Sequence, residues 1–213
     1  MVPSFPPIYA ILDPDFGSPP LVALAETLAN AGIGLMQLRD KHSPPRRIYD
    51  QACELTQILG RRKVRFLVND RADIAALSGA GGVHVGQTDL PVEDARRICG
   101  SSRWVGVSTH NLEQLCAAER TSADYIAVGP IFPTGTKENP DPVVGVDFVR
   151  LAREMTRKPL VAIGGITRES AADVFRAGAD CVAVIRDLIA VPDPGERARE
   201  YMAIAERARN LRA

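Results

Sequence analysis

Aromatic residues make up only 5% of the sequence, and they form no row on which unpaired nucleic-acid bases would stack. Charge of one sign is missing too: 26 lysines and arginines face 26 aspartates and glutamates. With no net field to attract nucleic acid or an anionic membrane, any basic site must be local. Apolar runs are short and broken by Gly, Asp or Arg, which excludes a helix spanning a bilayer. The opening MVPSFPPIYAILDPD lacks the basic start and apolar core of a secretory signal. Four cysteines (Cys53, Cys99, Cys116 and Cys181) show neither CxxC spacing nor the density of a disulfide scaffold. Each falls in a helix-like or strand-like stretch and reads as a packed thiol. These absences lead to the expectation of a cytoplasmic protein with no nucleic-acid or membrane partner.

What is present is an alternation of two kinds of segment. Eight short apolar runs read as buried strands: 8–13, 35–40, 65–70, 82–86, 104–109, 125–130, 159–165 and 181–186. Helix-like stretches lie between them. Leu21, Leu24, Ala25 and Leu28 recur at helical spacing, with Gly32 as a stop. A second stretch ends at Gly60; a third opens with Pro91 in its first turn. A fourth takes Thr167 as cap, with Ser170 in its first turn, and closes on Gly178.

Eight such pairs are the count of a (β/α)8 barrel, and the nearly continuous apolarity of the strands is that of a parallel sheet covered by helices. An open doubly wound sheet is the structural competitor, but the first strand–helix turn (13–17) has no GxGxxG loop. No Ser- or Gly-rich linker divides the 213 residues, so the expectation is one barrel domain over 1–213. Its active site would lie at the carboxyl ends of the strands.

Polar residues at those ends then become informative. In Gln37-Leu38-Arg39-Asp40-Lys41, alternate side chains share one face, so Gln37, Arg39 and Lys41 are expected to point into the barrel mouth and Leu38 outward. Inward cations are costly unless something anionic offsets them. That partner is either a phosphate, which Arg and Lys both suit, or a salt bridge to Asp70 or Asp89. Asp70 and Asp89 follow neighbouring strands ~4.8 Å apart and can reach one point. They suit Mg2+, which combines few carboxylates with substrate phosphates, or an acid/base couple.

The loop 129–137 carries Thr134, Gly135, Thr136 and then Lys137, a hydroxyl-rich arrangement able to face an anion or to form a polar turn. It is not a P-loop, since GxxxxGK[ST] spacing is absent. Gly164 and Gly165 after strand 7, with Ile185 and Arg186 ending strand 8, occupy the usual phosphate cradle of a barrel. Two separate anion sites suggest two phosphorylated small-molecule substrates. Of the histidines, His42 reads as surface, His84 as structural, and His110 as a hydrogen-bonding rather than catalytic group.

QLRDK (37–41), NDR (69–71), GVHVGQTDL (82–90), GVSTH (106–110), DYIAVGPIFPTGTK (124–137) and AIGGI (162–166) together resemble the ordered motifs of the thiamine-phosphate synthase family. The resemblance covers most of the chain and implies a (β/α)8 barrel. The implied reaction joins 4-amino-5-hydroxymethyl-2-methylpyrimidine diphosphate to a thiazole phosphate with Mg2+, releasing pyrophosphate. By matching position it implies that Gln37, Leu38, Arg39, Asp40, Lys41, Asn69, Ser108 and Lys137 hold the pyrimidine diphosphate. Arg39, Lys41 and Lys137 would be the catalytic cations. Asp70 and Asp89 would hold the metal. Thr134, Gly135, Thr136, Gly165 and the Ile185–Arg186 backbone would hold the thiazole phosphate. Arg186 departs from the pattern, which leads one to expect a small residue such as Ser; its side chain either strengthens the phosphate grip or points outward. The rivals are a thiazole tautomerase, which needs neither diphosphate nor Mg2+, and a non-catalytic phosphate-binding barrel. An aldolase or phosphosugar-isomerase barrel would want a Schiff-base lysine or acid/base residues on strand 1, of which Asp13 is the only hint.

Overall fold

Strict alternation along the first strand already separates two apolar layers. Ile8, Ala10 and Leu12 face outward into the shell between strands and helices, whereas Tyr9 and Ile11 face inward. The computed structural model describes residues 5–16, 20–135 and 141–210. Its strands are β1 (Ile8–Leu12), β2 (Leu35–Leu38), β3 (Arg65–Asn69), β4 (Gly82–Val85), β5 (Trp104–Thr109), β6 (Tyr125–Val128), β7 (Leu160–Ile163) and β8 (Cys181–Val184). All neighbouring pairs are parallel, and β8 closes on β1 through Ile8–Val182 to Ala10–Val184. The helices are α1 (Leu21–Asn30), α2 (Pro45–Arg61), α3 (Ala72–Leu77), α4 (Val92–Cys99), α5 (Leu112–Glu119), α6 (Gly145–Met155), α7 (Arg168–Ala177), α8 (Arg186–Ile189) and α9 (Pro194–Asn210). The expected (β/α)8 barrel is the observed fold.

Most strands stop one or two residues before the apolar runs do, leaving Asp13, Arg39, Asp40, Asp70, Gly86 and Gly165 in loops. Asp70 shows why: its φ of 61° turns the backbone left-handed and out of the ladder. Arg186 is not the end of β8 but the first residue of the short helix α8. Gly60 lies inside α2, which runs on to Arg61, and Pro91 is the cap residue before α4 rather than part of its first turn. At α7 the cap is as expected, with Thr167 and Ser170 forming a reciprocal capping box.

The amino-terminal end of the barrel is plugged. Phe5 stacks on Trp104 with ring centres 5.1 Å apart, and the Arg65 guanidinium lies 4.1 Å above the Trp104 ring. Above the plug, Tyr125 crosses the interior and is completely buried. It fits because its neighbour on β5 is Gly106: a Cβ there would stand 2.0 Å from the Tyr125 Cζ. All four cysteines are free, Cys99 and Cys181 buried and the others half-buried. Among the described residues, no helix is long and apolar enough to cross a membrane.

Gly106→Ala forces Tyr125 off its seat and is expected to cost about 1–3 kcal/mol of stability. Urea denaturation checks this, and an unchanged midpoint contradicts the packing described.

Candidate active site

With the lower end plugged, the barrel opens upward, into a cavity of about 510 Å3 at the carboxyl ends of the strands. Its floor is polar despite deep burial. Gln37 donates to the Tyr9 hydroxyl, which also accepts from Tyr125 at 3.1 Å. The Tyr125 hydroxyl meets His84 Nδ1 at 2.8 Å, and His84 Nε2 meets Ser108 Oγ at 2.8 Å. Burial pushes both tyrosines well above the ordinary phenol range, so they stay neutral and can only share hydrogen bonds. The chain Gln37–Tyr9–Tyr125–His84–Ser108 therefore spans five strands and fixes two of the expected substrate-binding side chains, Gln37 and Ser108. Tyr9 and Tyr125 escaped the sequence reading because each sits inside an apolar run, where an aromatic residue looks like packing.

The cations divide. Gln37, Arg39 and Asn69 line the cavity, but Lys41 does not. β2 ends at Leu38, so alternation no longer governs a residue three positions further, and Lys41 stands exposed on the rim. Leu38 is buried in the outer shell. Asp40 turns its Oδ1 to the backbone N–H groups of His42 and Ser43, shaping the loop rather than the cavity. Arg39 pairs with Asp13, so the salt bridge expected of this triplet with Asp70 or Asp89 is made by Lys41, to Asp70, and not by Arg39. Asp13 is 1% exposed and Arg39 15%. The signal for Asp13 was present: an acid closing strand 1, next to the strand that carries an inward arginine.

Lys41 pairs with Asp70, and Asp70 stands beside Asp89. Burial pushes the Asp70 carboxyl above the ordinary range; the Asp89 charge adds to this and Lys41 opposes it. Backbone geometry holds both acids. The Asp70 N–H donates to the His84 carbonyl at 2.8 Å, and Asp89 Oδ2 accepts from the Gly86 N–H at 2.7 Å. Among the described residues, no third His, Cys, Asp or Glu joins them.

Across the mouth, Thr134, Gly135, Gly164, Gly165, Ile185 and Arg186 line the opposite wall. Thr136 and Lys137 lie outside the described residues. Gly164 and Gly165 have φ values of 98° and 63°. A Cβ on Gly164 would sit 2.5 Å from the Pro130 Cβ, and one on Gly165 2.5 Å from the Pro133 carbonyl. These glycines are thus demanded by the loop after β6, which hydrogen-bonds to them (Phe132 N–H to the Gly164 carbonyl, 3.0 Å). His110 hydrogen-bonds the Gly129 carbonyl at 2.6 Å and lies 3.4 Å from Asp141, so it braces the same loop. His42 is exposed and faces Asp15 at 3.2 Å.

A barrel that keeps apolar layers below and ionisable groups at its carboxyl rim is organised as the (β/α)8 enzymes are. The sequence profile of the thiamine monophosphate synthase family matches residues 8–188. The chain is 50% identical over 204 residues to the thiamine-phosphate synthase of Koribacter versatilis, covering 93% of this chain and 95% of that one. To the thiamine-phosphate synthase of Chloroflexus aurantiacus it is 43% identical over 182 residues, covering 85% and 84%. The solved thiamine phosphate pyrophosphorylase from Pyrococcus furiosus superposes with a TM-score of 0.86 at 31% identity, over 95% of this chain and 96% of that one. The chain belongs to the thiamine monophosphate synthase family.

Asp13→Ala strands the Arg39 charge in a largely enclosed position and is expected to destabilise the fold by about 3 kcal/mol, with less than about 1 kcal/mol contradicting the pairing. Urea denaturation measures it.

Proposed function

We propose that this chain is a transferase that condenses 4-amino-5-hydroxymethyl-2-methylpyrimidine diphosphate with thiazole phosphate, giving thiamine phosphate and pyrophosphate. The observation that carries the reading is the cluster Lys41–Asp70–Asp89, which does not itself line the cavity but sits on the strand ends that bring Arg39 and Asn69 into it, while Gly165 and Arg186 line the same cavity from β7 and β8. A site meant for a single monoanion needs no acid pair among its cations. A polyphosphate that arrives with a divalent ion needs both signs.

The donor set fits Mg2+. Two adjacent carboxylates, one of them paired with a lysine, and no third His, Cys, Asp or Glu among the described residues suit an ion that takes one or two carboxylates and completes its shell with water and phosphate. Asp70 and Asp89 would hold it. When bound, it supplies positive charge against the departing pyrophosphate.

The remaining work falls to the chain itself. Gln37 and Ser108, held by the tyrosine–histidine floor, orient the pyrimidine diphosphate together with Asn69. Arg39, Lys41 and Lys137 stabilise the charge that develops on the leaving group as the bond to the pyrimidine methylene carbon breaks. Loss of pyrophosphate from that benzylic-like carbon leaves a cation stabilised by the electron-rich ring. The thiazole nitrogen attacks it, and having no proton to lose it requires no general base. The absence of any base in the reading agrees with His110 and His84 being occupied by structural hydrogen bonds. Thr134, Gly135 and Gly165, with the Ile185–Arg186 backbone, hold the thiazole phosphate on the facing wall, and Thr136 is assigned to the same phosphate by the family resemblance.

The direct test incubates the purified protein with both phosphorylated heterocycles, with and without Mg2+, and measures pyrophosphate. Release only with both substrates and the ion supports the reading; none under any condition overturns it. Asp70→Ala and Asp89→Ala should each lower Mg2+-dependent release by about 100-fold or more while circular dichroism stays unchanged. Full activity in either variant removes the metal assignment. Lys137→Ala should slow pyrophosphate loss without raising the KM for thiazole phosphate, and a selective rise in that KM contradicts its placement.

A further inference from the structure

Two arginines line the cavity, and one of them, Arg39, is paired with Asp13. Arg186 is different. It lines the cavity, yet among the described residues its guanidinium has neither a carboxylate nor a hydrogen-bond partner. The adjacent acid cannot serve, because Asp187 is already committed to Arg197 at 2.9 Å and to the Tyr201 hydroxyl at 2.7 Å.

The group is nonetheless positioned. Its Cζ lies 5.6 Å from the centre of the Phe16 ring, in the loop after β1. On the other side, Nη1 lies 3.7 Å from the point a Cβ on Gly135 would occupy, in the loop after β6. A cation–π contact of this kind occupies none of the guanidinium's hydrogen-bond donors, so its N–H groups remain available. An arginine beside an aromatic ring, with unpartnered N–H donors at a cavity wall and its adjacent acid already paired, can receive two oxygens of an anion in a fork. The absence of a side chain on Gly135 keeps that approach open.

We propose that the Arg186 side chain is the specificity-determining residue for the phosphate of the second substrate, making the phosphorylated thiazole strongly preferred over the free thiazole alcohol. This rests on the condensation proposed above and extends it, since that reading assigns to this position only backbone. The anion recognised is a phosphate monoester dianion, because the reading above gives the pyrimidine diphosphate its own cations, Arg39 in the cavity and Lys41 at the rim.

The test compares wild type, Arg186→Ala and Arg186→Lys in steady-state pyrophosphate release, with thiazole phosphate and with the free alcohol as acceptor. Arg186→Ala should raise the KM for thiazole phosphate roughly 10- to 100-fold, as loss of a charged hydrogen-bonding partner does. The KM for the pyrimidine diphosphate and that for the free alcohol should stay within a few-fold. Arg186→Lys, which keeps the charge and loses the fork, should fall between. Inorganic phosphate should compete with thiazole phosphate in the wild type and do so much more weakly in Arg186→Ala. An equal rise for thiazole phosphate and its alcohol, or no rise for either, overturns the proposal while leaving the condensation intact. A wild type that releases no pyrophosphate defeats the condensation instead; undiminished phosphate competition in Arg186→Ala defeats the arginine's role.

Discussion

Cations that face the mouth of a barrel can stay there only if something negative meets them, and in this chain neighbouring strands supply it. Asp13 at the end of β1 meets Arg39; Asp70 at the end of β3 meets Lys41 and shares its position with Asp89 from the loop after β4. The two arrangements differ in kind. Asp13 is buried and holds a one-to-one pair, so it neutralises Arg39 and sets its direction. Asp70 and Asp89 place two acids against one lysine, and burial makes the charged form of Asp70 still less comfortable. A pair with excess negative charge welcomes a divalent ion, while the cations around it welcome the phosphates that come with the ion. In the proposed reaction, charge compensation in the resting protein becomes substrate recognition once the partners are exchanged.

Directional precision comes from below. The Phe5–Trp104–Arg65 plug closes one end of the barrel, and Tyr125 rests on it in the space that Gly106 leaves. From there hydrogen bonds pass outward to Tyr9 and Gln37 on one side and to His84 and Ser108 on the other. Bonded to one another in the closed interior, these groups hold Gln37 and Ser108 in one orientation. The glycines after β7 play a matching part on the facing wall, where they admit the loop after β6 close against the strand ends.

The barrel was legible in the sequence because parallel strands covered on both faces announce themselves as repeated apolar runs, and the carboxyl-end polar residues follow from that geometry. Gln37 and Arg39 were readable for the same reason: alternation holds while the ladder holds. It fails at Lys41, three residues past the last paired residue, which moves to the rim. Arg39's partner was harder, since pairing with Asp13 depends on how β1 and β2 align beyond their ladder. Arg186 belongs to α8, which no apolar periodicity of four residues could reveal. Gly164 and Gly165 were noticed as glycines suited to a phosphate, whereas their backbone serves first to accommodate Pro130 and Pro133.

The central claim is that acids and bases which compensate one another in the resting barrel are the groups that receive a diphosphate and its ion together. Calorimetric titration of the intact protein with inorganic pyrophosphate, with and without Mg2+, tests it most directly. The account predicts binding that tightens by about tenfold or more with the ion present. Equal affinity in both conditions, or no binding in either, would contradict it.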